Sequence, residues 1–122
     1  MQHFVPIEKF LGEIFVEINV SEDKDSITFT TSSGDKYLMY HEQECCEDVY
    51  IEDIWGDYYD LLGSPITLAE ESMNSASTED TESFTWTFYK LATIKGYVDF
   101  RWFGQSNGYY SESVNIVKII GE

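Results

Sequence analysis

The chain has 122 residues, of which 43% are hydrophobic and 16% aromatic, and its formal net charge is −16 at pH 7. This length suits one domain, and the aromatic content excludes the class of disordered acidic tails, which are poor in aromatic residues. The charge disfavours direct contact with nucleic acid or anionic membranes, and no apolar run approaches the roughly 20 residues of a membrane-spanning helix. We therefore expect one folded domain over residues 1–122, with basic proteins or cations as partners.

The N-terminal third predicts a short helical turn followed by an antiparallel meander of three strands. Pro6 begins the helical turn, and Gly12 ends it. Alternating polarity then predicts two half-buried strands, and a third strand spans residues 36–41. The residues expected to share a face are Ile14, Val16, Ile18 and Val20 in the first strand, and Ile27, Phe29 and Thr31 in the second.

The middle of the chain is less regular. Residues 48–55 predict a strand with Val49 and Ile51 directed inward, although Ile54 breaks the alternation. A second short helical turn follows this strand, and Asp57 is placed to cap it.

Two segments follow the second helical turn, which Gly63 closes. The pattern over residues 66–73 fits a strand or a helix. Residues 74–81 are polar and rich in Ser and Thr, which predicts a loop.

The last part of the chain carries the clearest β pattern, because β-branched and aromatic residues alternate with polar ones. We predict three consecutive antiparallel strands over residues 81–119, with a hairpin loop at 104–108 and a long final strand over 110–116. The side chains expected to be buried are Trp86, Phe100, Val114 and Ile116. The predicted fold class is mainly β or α+β, a single domain with one or more antiparallel sheets and one or two short helices.

The acidic residues are concentrated in one stretch. From Tyr37 to Tyr89 the chain has 13 acidic residues and no Lys or Arg, whereas the remainder has 10 acidic and 7 basic residues. Solubility does not require the exclusion of every basic residue from so long a segment, so we predict an acidic face that binds a basic protein surface. The candidate residues are Glu42, Glu44, Glu47, Asp48, Glu52, Asp53, Asp57 and Asp60.

Aromatic residues lie among these carboxylates. An aromatic and acidic surface suits an interface that binds Arg or Lys through ion pairs and cation–π contacts. We take Tyr58 and Tyr59 as candidate contacts, with Tyr109 from a later loop. We expect Trp55 to anchor its segment to the core, and alternate members of the run 101–103 to fill the core as well. The alternative for this run is an aromatic recognition surface formed with the loop 106–110.

The string around two adjacent cysteines suggests a second kind of site. His41, Cys45 and Cys46 are residue types that bind zinc or act as a nucleophile and its base. Adjacent cysteines chelate one ion poorly, and the surrounding carboxylates raise the pKa of a thiol rather than lower it. We therefore predict two reduced thiols, no metal, no cofactor and no catalytic residue, with a metal-binding or catalytic domain as the weaker alternative.

Two parts of the chain resemble a small protein family associated with bacteriophage genomes and bacterial prophages. The first part runs from Tyr40 to Glu71 and contains YHEQECCEDVYIEDIWGD, LLGSP and AEE. The second contains TWTFYKLATIKG and SNGYYSESV. The family has no known function, so the resemblance implies a phage-encoded cytoplasmic protein and no catalytic residues. The start of the chain, MQHF, lacks the pattern of a secretory signal and agrees with the cytoplasmic expectation.

The leading hypothesis is therefore an acidic, phage-encoded protein that binds a basic surface of a host or phage protein. Occupation of a nucleic-acid-binding groove on a host defence or transcription protein, by mimicry of phosphate charge, is its concrete form. The alternative is a structural or accessory phage protein whose acidity serves solubility. The sequence leaves the oligomeric state open.

Overall fold

Two antiparallel β-sheets form the protein in a computed structural model that describes residues 2–77 and 82–119. The strands are β1 (Gln2–Phe4), β2 (Phe15–Val20), β3 (Ser26–Thr31), β4 (Lys36–Tyr40), β5 (Asp48–Trp55), β6 (Leu68–Ser77), β7 (Ser83–Thr93), β8 (Gly96–Ser106) and β9 (Asn115–Ile119). The helical content of the described residues is two single 3-10 turns, Ile7–Phe10 and Tyr58–Leu61. This architecture confirms the expected β-rich single domain with short helices.

The five-stranded sheet has the strand order β1-β9-β4-β3-β2. Its β2-β3-β4 portion is the antiparallel meander that the sequence predicts. A β-bulge between Phe15 and Glu17 alters the predicted inward face of β2. Phe15 is fully buried and Val16 is 54% exposed, because the bulge reverses the alternation at the start of the strand.

The four-stranded sheet has the order β5-β8-β7-β6. The predicted loop over 74–81 is wrong in its first half, because residues 74–77 continue β6 and pair with β7. The second half, residues 78–81, lies outside the described part of the chain. This polar segment forms a strand because β6 lies at the edge of the sheet, where exposed polar side chains are tolerated.

The C-terminal region contains three strands, but they do not form one consecutive sheet. β7 and β8 form a hairpin, whereas β9 crosses to the other sheet and pairs with β1 and β4. The turn of the hairpin lies between Thr93 and Gly96 rather than at residues 104–108. The long final strand is also shorter than predicted, because residues 107–114 form a loop and the strand begins at Asn115.

The inner faces of the two sheets share one hydrophobic core. Phe29 of β3 and Phe100 of β8 contact across it, with ring centroids 6.3 Å apart. The first 3-10 turn contributes Phe10, which packs edge-on against Phe15 at 5.0 Å. This closed core leaves the opposite face of the four-stranded sheet directed away from it.

Two of the four predicted core residues are fully or nearly fully buried. Phe100 and Ile116 lie in the core, whereas Val114 is partly buried and packs against it. The prediction for Trp86 is wrong as to face: its neighbour Thr87 is buried, and Trp86 is half-buried on the outer side of β7. A prediction from hydrophobicity assigns the wrong face of β7 to the core, because the aromatic residues of this part of the strand point away from the core.

Candidate binding surface

The outer face of the four-stranded sheet carries side chains in rows that cross the strands. We call it the outer face and define it by the cross-strand partners of β7 and β8. The rows are Ala76–Phe84–Gln105–Asp48, Asn74–Trp86–Phe103–Tyr50, Ser72–Phe88–Arg101–Asp53 and Glu70–Lys90–Asp99–Trp55. Side chains of directly opposed residues lie about 4.5–5.5 Å apart at Cβ, so neighbours in a row contact one another.

Aromatic rings cover the central part of this face. Phe103 is in the middle, with ring centroids 5.2 Å from Trp86, 5.8 Å from Tyr50 and 6.0 Å from Phe84. All four side chains are half-buried, although they lie on the side of the sheet away from the core. A soluble domain rarely exposes a contiguous aromatic area of this kind unless the area contacts a partner.

A β-bulge brings two carboxylates onto the outer face together. The register of β5 shifts between Ile51 and Asp53, which places Glu52 at the bulge. Successive residues of a regular strand point to opposite sides, and a bulge removes that restriction. Glu52 pairs with Arg101 of β8 at 2.8 Å from Oε1 to Nε, while Asp53 is the cross-strand partner of Arg101. This contact is an ion pair and lacks the angle of a hydrogen bond from Nε. The bulge also accounts for the irregular position of Ile54.

Most of the predicted acidic residues are exposed and follow one another along β5. Glu42 and Glu44 precede the strand, Asp48 begins it, and Asp57 follows it, all at exposed positions. Asp60 is partly buried within the second 3-10 turn. β5 is an edge strand of eight residues and spans roughly 25 Å of one sheet edge, with acidic residues within it and on both sides of it in the sequence.

Glu47 is the exception, because the structure buries it. Its Oε1 accepts a hydrogen bond from the backbone N–H of Cys45 at 2.9 Å, and its Oε2 accepts one from Glu44 at 2.8 Å. The same Oε2 lies 2.8 Å from Nε2 of His41. The prediction of Glu47 as part of an exposed acidic face is therefore wrong: this carboxylate organises the loop instead.

The surroundings of Glu47 favour its ionised form. Burial on its own raises the pKa of this carboxyl, but the N–H of Cys45, the His41 ring and the N–H of Glu44 outweigh it and lower the pKa from 4.5 to about 2. Nδ1 of His41 lies 2.6 Å from the carbonyl oxygen of Ser113, so both ring nitrogens face acceptors. The contact of His41 with Glu47 therefore lies within the loop between β4 and β5, and the contact of His41 with Ser113 ties this loop to the one before β9.

The two cysteines are bonded to each other, which corrects the prediction of two reduced thiols. The sulfur atoms of Cys45 and Cys46 lie 2.08 Å apart. The hydrogen bonds from the loop to Glu47 fold the chain at these residues and keep both cysteines in one tight turn. In this state neither sulfur is a thiolate, and both nitrogens of His41 are engaged. Within the described residues, no group of three or more His, Cys, Asp or Glu side chains is placed to hold a metal ion.

The aromatic candidates lie at opposite ends of β5. Tyr58 packs against the core and contacts exposed Tyr59, with ring centroids 5.1 Å apart, beyond the C-terminal end of the strand. Tyr109 is 88% exposed and lies in the loop after β8, near the other end. The expectation for Trp55 as a core anchor is wrong, since it is 67% exposed. Trp102 does fill the core, as the alternation over 101–103 predicts.

Several residues of this surface escape prediction from the sequence. Phe88, Asp99 and Arg101 join the surface only through the register of β7 and β8. The aromatic alternation of β7 is the sequence signal for Phe88, but it does not say which face of the strand meets the core. No helix in the described part of the chain has the length and apolarity to cross a membrane.

These features define a class: a two-sheet antiparallel β domain with an aromatic outer sheet face beside an acidic edge strand. The chain belongs to the family described as a domain of unknown function, DUF7448, whose sequence model matches residues 8–116. The expected membership of an uncharacterised family agrees with this match. No curated protein and no solved structure matches the chain.

Proposed function

We propose that this protein acts by binding rather than catalysis, and that it engages a basic surface of another protein through β5 and the outer face. The observation that carries the proposal is the combination of half-buried aromatic rings with exposed carboxylates on one sheet. Aromatic residues supply contact area, while carboxylates attract and orient a basic partner. The acidic stretch contributes carboxylates and no Lys or Arg of its own to this edge.

Phage origin and a location in the cytoplasm of a bacterial host are part of the same proposal. Both depend on the sequence resemblance, because the bonded Cys45–Cys46 pair removes the argument from reduced thiols. In this setting the partner is a host or phage protein whose basic groove otherwise binds nucleic acid. The negative charge along β5 takes the place of phosphates in that groove.

The test compares two neutralised forms of the protein as baits in extracts of a bacterial host. The first carries Asp48→Asn and Asp53→Asn on β5; the second carries Glu17→Gln and Glu22→Gln on the other sheet. Both lose the same charge, on different sheets, and Asn at position 53 keeps the oxygen that accepts the N–H of Ile54. We expect the native chain and the second form to retain the same partner, and the first form to lose it.

The purified partner should then bind the native chain more weakly as salt rises, since exposed charges are screened. Equal loss by both forms, or binding that is indifferent to salt, would contradict the proposal. The acidity would then serve solubility in an accessory phage protein.

A further inference from the structure

We infer that the outer face contains a site for an arginine side chain, between Trp55 and Phe88 and above Asp53 and Asp99. The site deepens the proposed function, on which it rests, because it names the group of the basic partner that is recognised. A hollow of about 340 Å³ lies there, lined by Asp53, Trp55, Ser72, Phe88, Asp99 and Arg101. A second hollow of about 450 Å³ shares Ser72, Phe88 and Asp99 with it.

The charge of these hollows is complementary to a cation. Five carboxylates line the two together, those of Glu8, Asp53, Glu70, Glu71 and Asp99, whereas Lys90 and Arg101 are the cations. Neither cation cancels them fully. Arg101 pairs with Glu52, outside this set, and Lys90 lies over the Tyr97 ring, 4.7 Å from its centroid. Among the described residues, the half-buried Asp99 makes no ion pair within 4 Å.

The aromatic residues select arginine over other cations. Trp55 is the cross-strand partner of Asp99, and its ring is mostly exposed. A planar guanidinium stacks on such a ring while it donates two hydrogen bonds to a carboxylate. A lysine ammonium is a compact, strongly hydrated charge and does not stack in this way.

The protein's own Arg101 lies one row away among residues of the same kinds. Its partners across the neighbouring strands are Phe88 and Asp53, and its guanidinium pairs with Glu52. This face therefore already holds one arginine between an aromatic ring and two carboxylates. The row that contains Trp55 and Asp99 also offers an aromatic ring and a carboxylate, and its own cation, Lys90, lies over the Tyr97 ring.

The experiment uses the ¹⁵N-labelled full chain and follows its three tryptophan indole N–H signals by NMR. Trp55 is exposed, Trp86 is half-buried in the aromatic cluster, and Trp102 is buried in the core, so each reports a different environment. The probe is the blocked peptide Gly-Ser-Arg-Ser-Gly, with the lysine and citrulline versions as matched controls. Citrulline keeps the shape of arginine and removes its charge.

We expect the arginine peptide to shift the Trp55 signal, with no change at Trp102. The lysine peptide should bind more weakly, and the citrulline peptide should leave the spectrum unchanged. Asp99→Asn should weaken the arginine titration about fivefold or more, as expected for loss of a charge-assisted hydrogen bond. Glu17→Gln, which removes an exposed charge from the other sheet, should leave the titration unchanged.

Three results would overturn the site. The first is a Trp55 signal that does not move when the arginine peptide is added. The second is a loss of discrimination: the lysine peptide binds as well as the arginine peptide, or Asp99→Asn binds the arginine peptide as well as the native chain does. The third is a shift with protein concentration alone, which would mean that a second copy covers the face. Loss of this site would leave the broader proposal intact if partner capture still depended on Asp48 and Asp53. If both experiments fail, the arginine site and the broader binding proposal are both wrong.

Discussion

At the residue scale, Glu47 holds together the loop that joins β4 to β5. It accepts two backbone N–H groups and pairs with His41, which in turn is tied to Ser113 of another loop. A composition count treats this carboxylate like its exposed neighbours. Its role depends on which N–H groups the turn directs at it, and no pattern of residue types encodes that.

We predict that Glu47→Gln destabilises the protein at neutral pH. The Gln amide has an NH2 donor at one end. This donor would face either the backbone N–H of Cys45 or the His41 ring, where both carboxylate oxygens of Glu47 act as acceptors. The expected fall in Tm is about 5 °C or more, measured by thermal unfolding at pH 7. Glu44→Gln is the control, because the Glu44 side chain is exposed and its backbone N–H is retained.

The same pair of variants predicts a pH dependence. The pKa of Glu47 is lowered from 4.5 to about 2 in the folded protein, so the unfolded chain binds its proton first as pH falls. The stabilisation is therefore complete above about pH 4.5 and is lost as pH falls towards 2. The Tm difference between the native chain and Glu47→Gln should shrink across that window. A constant difference from pH 7 to pH 2.5 would show that the charge of Glu47 contributes nothing.

At the element scale, the strands follow from the sequence more readily than their faces do. Alternation identifies β2 and β5, but each contains a bulge that moves later residues to the other side. In β7 the polar Thr87 points inward and the aromatic Trp86 outward, so hydrophobicity alone selects the wrong face. The crossing of β9 to the other sheet depends on pairings between residues distant in the sequence. Local patterns therefore predict the secondary structure and miss much of the proposed binding surface.

The two faces of β7 should respond differently to truncation. Leu91 is fully buried in the core, so Leu91→Ala should cost about 2–5 kcal/mol of unfolding free energy. Phe88 lies half-buried on the outer face, and Phe88→Ala should cost only about 1 kcal/mol. Urea unfolding followed by circular dichroism measures both values. The folded Phe88→Ala variant should also lose the response of Trp55 to the arginine peptide. Equal destabilisation by both substitutions would argue against the assignment of faces.

At the scale of the whole molecule, the net charge of −16 acts on both association and stability. Clustered negative charge accelerates encounter with a basic partner. At the same time it destabilises the folded state through repulsion between like charges. Some carboxylates also have structural roles. Asp57 caps the second 3-10 turn by accepting the N–H of Tyr59 at 3.0 Å, so Asp57→Lys should lower stability by about 0.5–2 kcal/mol. Steering by charge must therefore be tested at positions that lack such contacts.

Glu42 and Asp48 provide those positions, since both are exposed beside the start of β5. We predict that reversing both to Lys slows association with the captured partner about tenfold at low salt, because the field that steers encounter is weakened. The Tm should stay unchanged or rise as self-repulsion falls. Stopped-flow association rates at two salt concentrations, with thermal unfolding of the same samples, measure both effects. Reversal of Glu17 and Glu22 changes the net charge equally on the other sheet. If that control slows association as much, the rate follows total charge, and the position of the acidic residues along β5 has no part in recognition.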